Sequence, residues 1–191
     1  MKTFSGLGVS AGIGQAPALL VEPAPGLPAR DPKGDTDDDV ARVTAALSKV
    51  ADRLDARALE ADPSAIGVLM ATAMMARDPG LTSSVRTHLE EGDGPAHALW
   101  GAIDDFCAQL TAAGGYLAER VTDLHNVRDR ALAVLQGLPE PGVPAFDSPV
   151  ILVAEDLAPA DTATLDPELV RGLVTAAGGP TSHTAILAAQ I

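Results

Sequence analysis

One short stretch of this sequence has the residues for chemistry: Gly178-Gly179-Pro180-Thr181-Ser182-His183-Thr184-Ala185-Ile186-Leu187-Ala188. It sets a histidine just after a glycine turn, with hydroxyls at Thr181, Ser182 and Thr184 around it. Thr181 or Ser182 is placed to cap a helix that begins near His183. A neutral imidazole can attack phosphorus, and a histidine with an unperturbed pKa of about 6.5 is substantially neutral at pH 7. The phosphorylated product is an anion, and free N–H groups at a helix N-terminus bind anions. The helix dipole contributes about 0.3–1 kcal/mol to such binding at exposed sites, and up to about 2 kcal/mol in favourable geometry. Glycines let the backbone approach closely. An anion site fits these residues. A capped helix with an incidental histidine fits them as well, and is the commoner arrangement.

The other polar residues carry less. Gly6-Leu7-Gly8-Val9-Ser10-Ala11 matches the dinucleotide pattern G-x-G-x-x-A, but too few residues precede it to make a strand, and Pro17 follows where a helix is needed. Tight turns are the better reading of these glycines. The acid pairs Asp37-Asp38, Glu90-Glu91 and Asp104-Asp105 lack ligand spacing to a histidine or to other carboxylates, and read as solvated helix faces. His88, His97 and His125 show no partner pattern. Met70, Met74 and Met75 share one side of a helix, where core is favoured narrowly over an adaptable binding surface. The single cysteine, Cys107, lies in an apolar stretch and reads as a buried, inert thiol.

The elements that must position these residues fall into three textures. Residues 1–22 are rich in glycine and then apolar, which reads as turns and short strands. Residues 35–136 are helical almost throughout. Val40, Val43, Leu47, Val50 and Leu54 mark one helix face, and the acid run from Asp35 to Asp39 lies at its start, where negative charge meets the helix dipole. A second helix spans Ser64 to Arg77, and a third carries Leu81, Val85 and Leu89 until Gly92 and Gly94 break it. Leu99, Ile103, Phe106 and Leu110 mark a fourth. After Gly114-Gly115 the pattern resumes through Leu117, Val121, Leu124, Ala131 and Leu135. Val150-Ile151-Leu152-Val153 reads as a buried strand, and residues 169–175 hold another. The segments 23–34 and 137–145, rich in proline and glycine, read as linkers. Together they predict an α/β domain built from residues 1–22 and 146–191, with the helical region 35–136 inserted into it, and the N-terminal strands paired with those after residue 149.

Composition narrows the function classes. There are 26 Asp and Glu against 13 Lys and Arg, a formal net charge of −13, which argues against a nucleic-acid partner. No apolar run approaches the length of a membrane span. The opening Met1-Lys2-Thr3-Phe4-Ser5-Gly6 is unlike a secretory signal, so the cytoplasm is the expected compartment.

The string Gly178-Gly179-x-Thr181-Ser182-His183-Thr184-x-Ile186 resembles the phosphorylation-site signature of Enzyme I of the bacterial phosphoenolpyruvate-dependent sugar phosphotransferase system. Pyruvate phosphate dikinase and phosphoenolpyruvate synthase carry similar strings, usually with Ala after the histidine, and Thr184 points to Enzyme I. Gly6 through Leu20, Val150 through Pro159, and Tyr116-Leu117-Ala118-Glu119-Arg120 with Asp123 also resemble that family, so the likeness spans the whole chain. The resemblance implies an α/β phosphohistidine (swivelling) domain with an inserted all-helical subdomain that binds the carrier protein HPr. It implies that His183 is the phosphoryl acceptor, that Thr162 hydrogen-bonds it, and that Gly178, Gly179, Thr181, Ser182 and Thr184 form the site loop. It places Met70, Met74, Met75 and Leu81 on the helix that docks HPr, with His125 where the family often has an arginine facing that partner. Phosphoenolpyruvate and Mg²⁺ would be held by a further domain, which also makes the family's homodimer. The present chain would be an N-terminal fragment, monomeric by itself and without metal ligands. A dikinase or synthase relative, or a non-catalytic regulatory relative, are the alternative readings.

The sequence departs from the family at Ala176, Pro180 and Ala189, which replace a common aspartate and two common arginines. Pro63 and Ser64 stand where the family has glutamates on the docking helix. None of these removes the acceptor. Phosphorylation should therefore map to His183 alone, as an adduct lost in acid and kept in alkali. Peptide mass spectrometry should find it abolished in His183→Ala and retained when His88, His97 or His125 is replaced.

Overall fold

The computed structural model describes residues 6–61, 63–144, 146–155, 157, 161 and 165–177. The chain divides into two compact units, one made of residues 1–23 and 142–191 and the other of Ala24–Pro141. Residues 24–34 and 137–141, which read as linkers by composition, thus group with the helices.

The helical unit holds α1 (Thr36–Glu60), α2 (Pro63–Ala76), α3 (Pro79–Glu91), α4 (Pro95–Ala113), the short α5 (Gly115–Glu119) and α6 (Val121–Gln136). The central helix is α1, which packs on α2, α3, α4 and α6, while α4 packs on α3 and α6. Its buried stripe runs Val40, Val43, Ala46, Leu47, Val50, Ala51, Leu54 and Ala58, a helical repeat of one face. Leu69, Leu81, Leu89, Leu99, Ile103, Leu124 and Leu132 fill the interior opposite it. With aromatics at 3% of the chain, this core is aliphatic, and each fully buried Leu or Ile contributes about 1.5–3 kcal/mol.

The helix starts follow the punctuation of the sequence. Asp35 caps α1 by accepting from the backbone N–H of Asp37 (2.9 Å) and Asp38 (3.3 Å). Asp78 caps α3 through Gly80 N–H at 2.7 Å, with Pro79 in the first turn. The start of α4 is different. Its N-cap is Gly94, which has no side chain to offer, and Asp31 from the preceding segment accepts from the His97 backbone N–H at 2.9 Å instead. The same carboxylate lies 3.1 Å from His97 Nδ1. A Cβ on residue 94 would sit 2.0 Å from the Asp31 carbonyl oxygen, so glycine is required there by the approach of the second segment. The repeat read as one helix from Leu117 to Leu135 is instead two, joined at Arg120, whose guanidinium bonds Asp123 at 3.0 Å.

The other unit is built on a parallel sheet in the order β1 (Ala18–Leu20), β2 (Val150–Ala154), β3 (Val170–Thr175). Ala18 pairs with Ile151 and Leu20 with Val153, so the N-terminal strand does join the one after residue 149. Along β2 and β3 the register runs from Ile151–Gly172 to Ala154–Thr175. Val21, Val150, Leu152, Ala154, Leu157 and Val170 form its core, with Phe146 and Leu173 packed against it. Gly14 lies against β3, where a Cβ would meet the Arg171 carbonyl oxygen at 2.0 Å; close approach accounts for this glycine. The described residues thus form an α/β unit whose chain is interrupted by an inserted helical unit.

Asp31→Ala removes the borrowed cap of α4. Loss of a helix cap costs about 0.5–2 kcal/mol. Thermal unfolding followed by circular dichroism should show the midpoint falling by about 4–8 °C for each kcal/mol lost, with Asp31→Asn retaining part of the stability.

Candidate functional site

His183, Thr162, Gly178, Gly179, Thr181, Ser182 and Thr184 all lie outside the described residues. The approach to them is described. Strands β2 and β3 end side by side, and the chain continues in register beyond them: Ala176 N–H donates to Ala154 O at 3.0 Å and Ala177 N–H to Glu155 O at 2.7 Å. The segment carrying His183 therefore leaves from the carboxyl edge of a parallel sheet, the edge where α/β proteins place their ligands. Past β2, Leu157 is buried in the core, and Asp161, next to Thr162, is buried as well.

The second set of candidates lies in the helical unit. Helix α2 carries no charged side chain along its whole length. Ala65, Leu69, Thr72, Ala73 and Ala76 face inward, and the Thr72 hydroxyl donates to Val68 O at 2.9 Å. Met70 and Met74 face outward, 51% and 72% exposed, and Met75 is half-buried. The core reading of these methionines is thus corrected: on a helix apolar all round, Leu and Ala took the inner face and left two thioethers in solvent. Leu81 needs the opposite correction. It lies on α3 and not on the helix of the methionines, and it is 0% exposed in the core of the unit, so its side chain is closed to a partner.

Helix α2 packs against α6, which carries His125. His125 is half-buried, and burial first, then the charge of Arg128, push its imidazole below the ordinary value, against the opposing pull of Asp129 and Asp104. Arg128 was not singled out by sequence. Its guanidinium lies 3.8 Å from the centre of the Trp100 ring and bonds Asp129 at 2.8 Å. The spacing of three residues from His125 was the available signal for it. The remaining histidines have structural partners: His88 Nε2 lies 3.0 Å from Asp105 and its Nδ1 3.5 Å from Asp93, while His97 holds Asp31. Among the described residues, no group of three or more His, Cys, Asp or Glu could hold a metal ion, and no helix is long and apolar enough to cross a membrane.

A split α/β unit carrying an inserted helical unit defines a class of architecture that comparison places in a family. Residues 5–120 match the family described as PEP-utilising enzyme, N-terminal, and residues 146–191 the one described as PEP-utilising enzyme, mobile domain. The chain belongs to the PEP-utilising enzymes. It is 46% identical over 192 aligned residues to the phosphoenolpyruvate-protein phosphotransferase of Streptomyces coelicolor, covering 97% of this chain and 34% of that protein. It is 33% identical to the protein of the same name from Staphylococcus carnosus, covering 100% of this chain and 34% of that one. The chain spans about a third of the length of these curated relatives. A solution structure of an Enzyme I protein superimposes with a TM-score of 0.80 at 28% identity, over 95% of this chain and 77% of that one. The N-terminal domain of a nitrogen-type Enzyme I shares the fold, with a TM-score of 0.62 at 22% identity and the same coverage.

The lowered His125 value has a consequence for stability. The folded protein favours the neutral ring, so this contribution is full above the unfolded value near about 6.5. It is lost as pH falls from that value to the lower folded one. Denaturant midpoints measured at about pH 7.5 and about pH 5 should fall further for the wild type than for His125→Gln.

Proposed function

We propose that this chain is the phosphohistidine-bearing N-terminal part of a phosphoenolpyruvate-protein phosphotransferase. The complete protein would move a phosphoryl group from phosphoenolpyruvate to His183 and on to a histidine of HPr, the first step of sugar uptake by the phosphotransferase system. The observation that carries this reading is identity of 46% to a protein of that name along nearly the whole chain. The His183 string supports it.

In this mechanism the free imidazole nitrogen of His183 attacks phosphorus in line, and the leaving oxygen departs with the electron pair of the broken P–O bond. Thr162 holds the other ring nitrogen, which fixes the attacking one toward the donor. Backbone N–H groups and hydroxyls of Gly178, Gly179, Thr181, Ser182 and Thr184 balance the charge on the transferred group. Catalysis of this kind is mostly positioning and charge stabilisation. In the complete protein a further part would hold phosphoenolpyruvate with Mg²⁺, which would supply charge neutralisation for the donor, and would form the homodimer. HPr docks on the uncharged face of α2 through Met70, Met74 and Met75, while Leu81 belongs to the core of α3 and stays out of the contact. His125, biased toward its neutral form, adds little charge to that face. The setting is the cytoplasm.

The chain holds the acceptor and the docking helix, so labelled phospho-HPr should label it. Labelled phosphoenolpyruvate with Mg²⁺ should not. Met74→Asp should slow transfer from phospho-HPr by about tenfold or more, because a carboxylate placed in an apolar contact must be desolvated. Label from phosphoenolpyruvate alone would show the donor site misplaced. A folded chain that takes no label from phospho-HPr would favour the non-catalytic relative.

A further inference from the structure

A glycine inside a helix needs a reason. It is the poorest helix former after proline, because it loses the most backbone freedom on folding. Gly101 and Gly80 have their reasons within the chain. A Cβ at Gly101 in α4 would lie 2.6 Å from the His88 ring, and one at Gly80 in α3 would lie 2.9 Å from Asp78 Oδ1. Gly67 in α2 differs from both. Among the described residues, a Cβ there would meet no atom within 4 Å outside its own stretch of helix. Its φ is not in the left-handed region, and the residue is exposed.

Its position shows what the missing side chain leaves open. Gly67, Met70 and Met74 are spaced three and four residues apart, which puts them on one helix face. Met70 and Met74 are 51% and 72% exposed on that face. Helical side chains lean toward the N-terminus, so both thioethers lean toward Gly67. The face thus carries bare backbone beside two long, adaptable apolar side chains. Helix α2 has no charged side chain with which to hold a partner, so closeness of contact matters more there.

We propose that Gly67 is left bare for HPr: a stretch of HPr backbone seats on α2 at Gly67, closer than a Cβ would allow, with Met70 and Met74 against its sides. This rests on the docking reading above, and adds to it the residue that sets how near the partner comes. The glycine lowers the stability of the free chain and raises its affinity for HPr. A single added methyl group should therefore move the two in opposite directions.

The test is Gly67→Ala, with thermal unfolding of the chain by itself and calorimetric titration with HPr. The unfolding midpoint should rise by about 2–6 °C, since alanine is the best helix former and its methyl finds open space. The Kd for HPr should rise about fivefold or more, because a methyl group forced into a close contact pushes the two surfaces apart. Met74→Asp is measured beside it. Weaker binding by Gly67→Ala with the midpoint held or raised supports the inference. If Met74→Asp weakens binding and Gly67→Ala does not, the face docks HPr without needing the glycine, and this inference is overturned while the docking reading stands. If neither variant weakens binding, the docking reading fails and this inference fails with it. A lower midpoint in Gly67→Ala would give the glycine a reason inside the chain, and overturns the inference as well.

Discussion

Strands β1 and β2 lie side by side and point the same way. Antiparallel neighbours can be joined by a tight turn, but parallel ones need the chain to travel back to the starting end. In most α/β folds one helix makes that return. Here residues 21–149 make it, and the whole helical unit is the crossover. The sheet's register thus sets two demands on the sequence: both ends of the inserted unit must be controlled, and β1, only three residues long, must find β2 across a large separation in sequence. Late pairing of that kind is slow to form, while helices with local contacts assemble readily. A bundle that folds by itself and then presents two chain ends suits the topology.

Control of those ends comes from the acids. A net charge of −13 suggests a diffuse negative surface, yet several carboxylates have defined work. Asp35, Asp78 and Asp31 each accept backbone N–H groups at the starts of α1, α3 and α4. Asp39 is buried and takes both Gly34 N–H and the Arg42 guanidinium. Asp52 and Asp55 share Arg77 just beyond the end of α2 and push its pKa further up. Helix α2 itself has none of this. With no charge from Pro63 to Ala76 it depends on packing for its place, and its outer methionines are the price of being apolar all round.

What the sequence made legible, and what it hid, follows from the range of the forces. The α1 stripe, the break at Gly92 and Gly94, and the strand at residues 150–154 are local patterns, and they appear in the structure where periodicity puts them. Helix α2 was located correctly but its faces were not, because a period is hard to read where no residue is charged and one of the few polar side chains, Thr72, is itself buried. Leu81 joined the docking set through resemblance, although its spacing with Val85 and Leu89 already marked a buried face. Asp31 and Glu140 lie in segments that read as linkers, and Asp31 finds His97 66 residues away while Glu140 reaches Arg53 87 residues away as well as the nearby Arg130, so no local pattern encodes the distant contacts. The His183 string rested on glycine, hydroxyl and histidine types in one short run, which is why chemistry could be argued there before any fold was known.

The chain contains one tryptophan, and Arg128 lies over its ring. Trp100 belongs to α4, so intrinsic fluorescence excited at the indole band is a readout of the helical unit only. Melting of the sheet contributes nothing to that signal directly. A cation stacked on an indole also perturbs its emission, so loss of the Arg128 contact registers as a spectral shift before α4 itself unravels. Evolution has in effect left a site-specific probe in this protein, and no label need be introduced to follow one unit apart from the other.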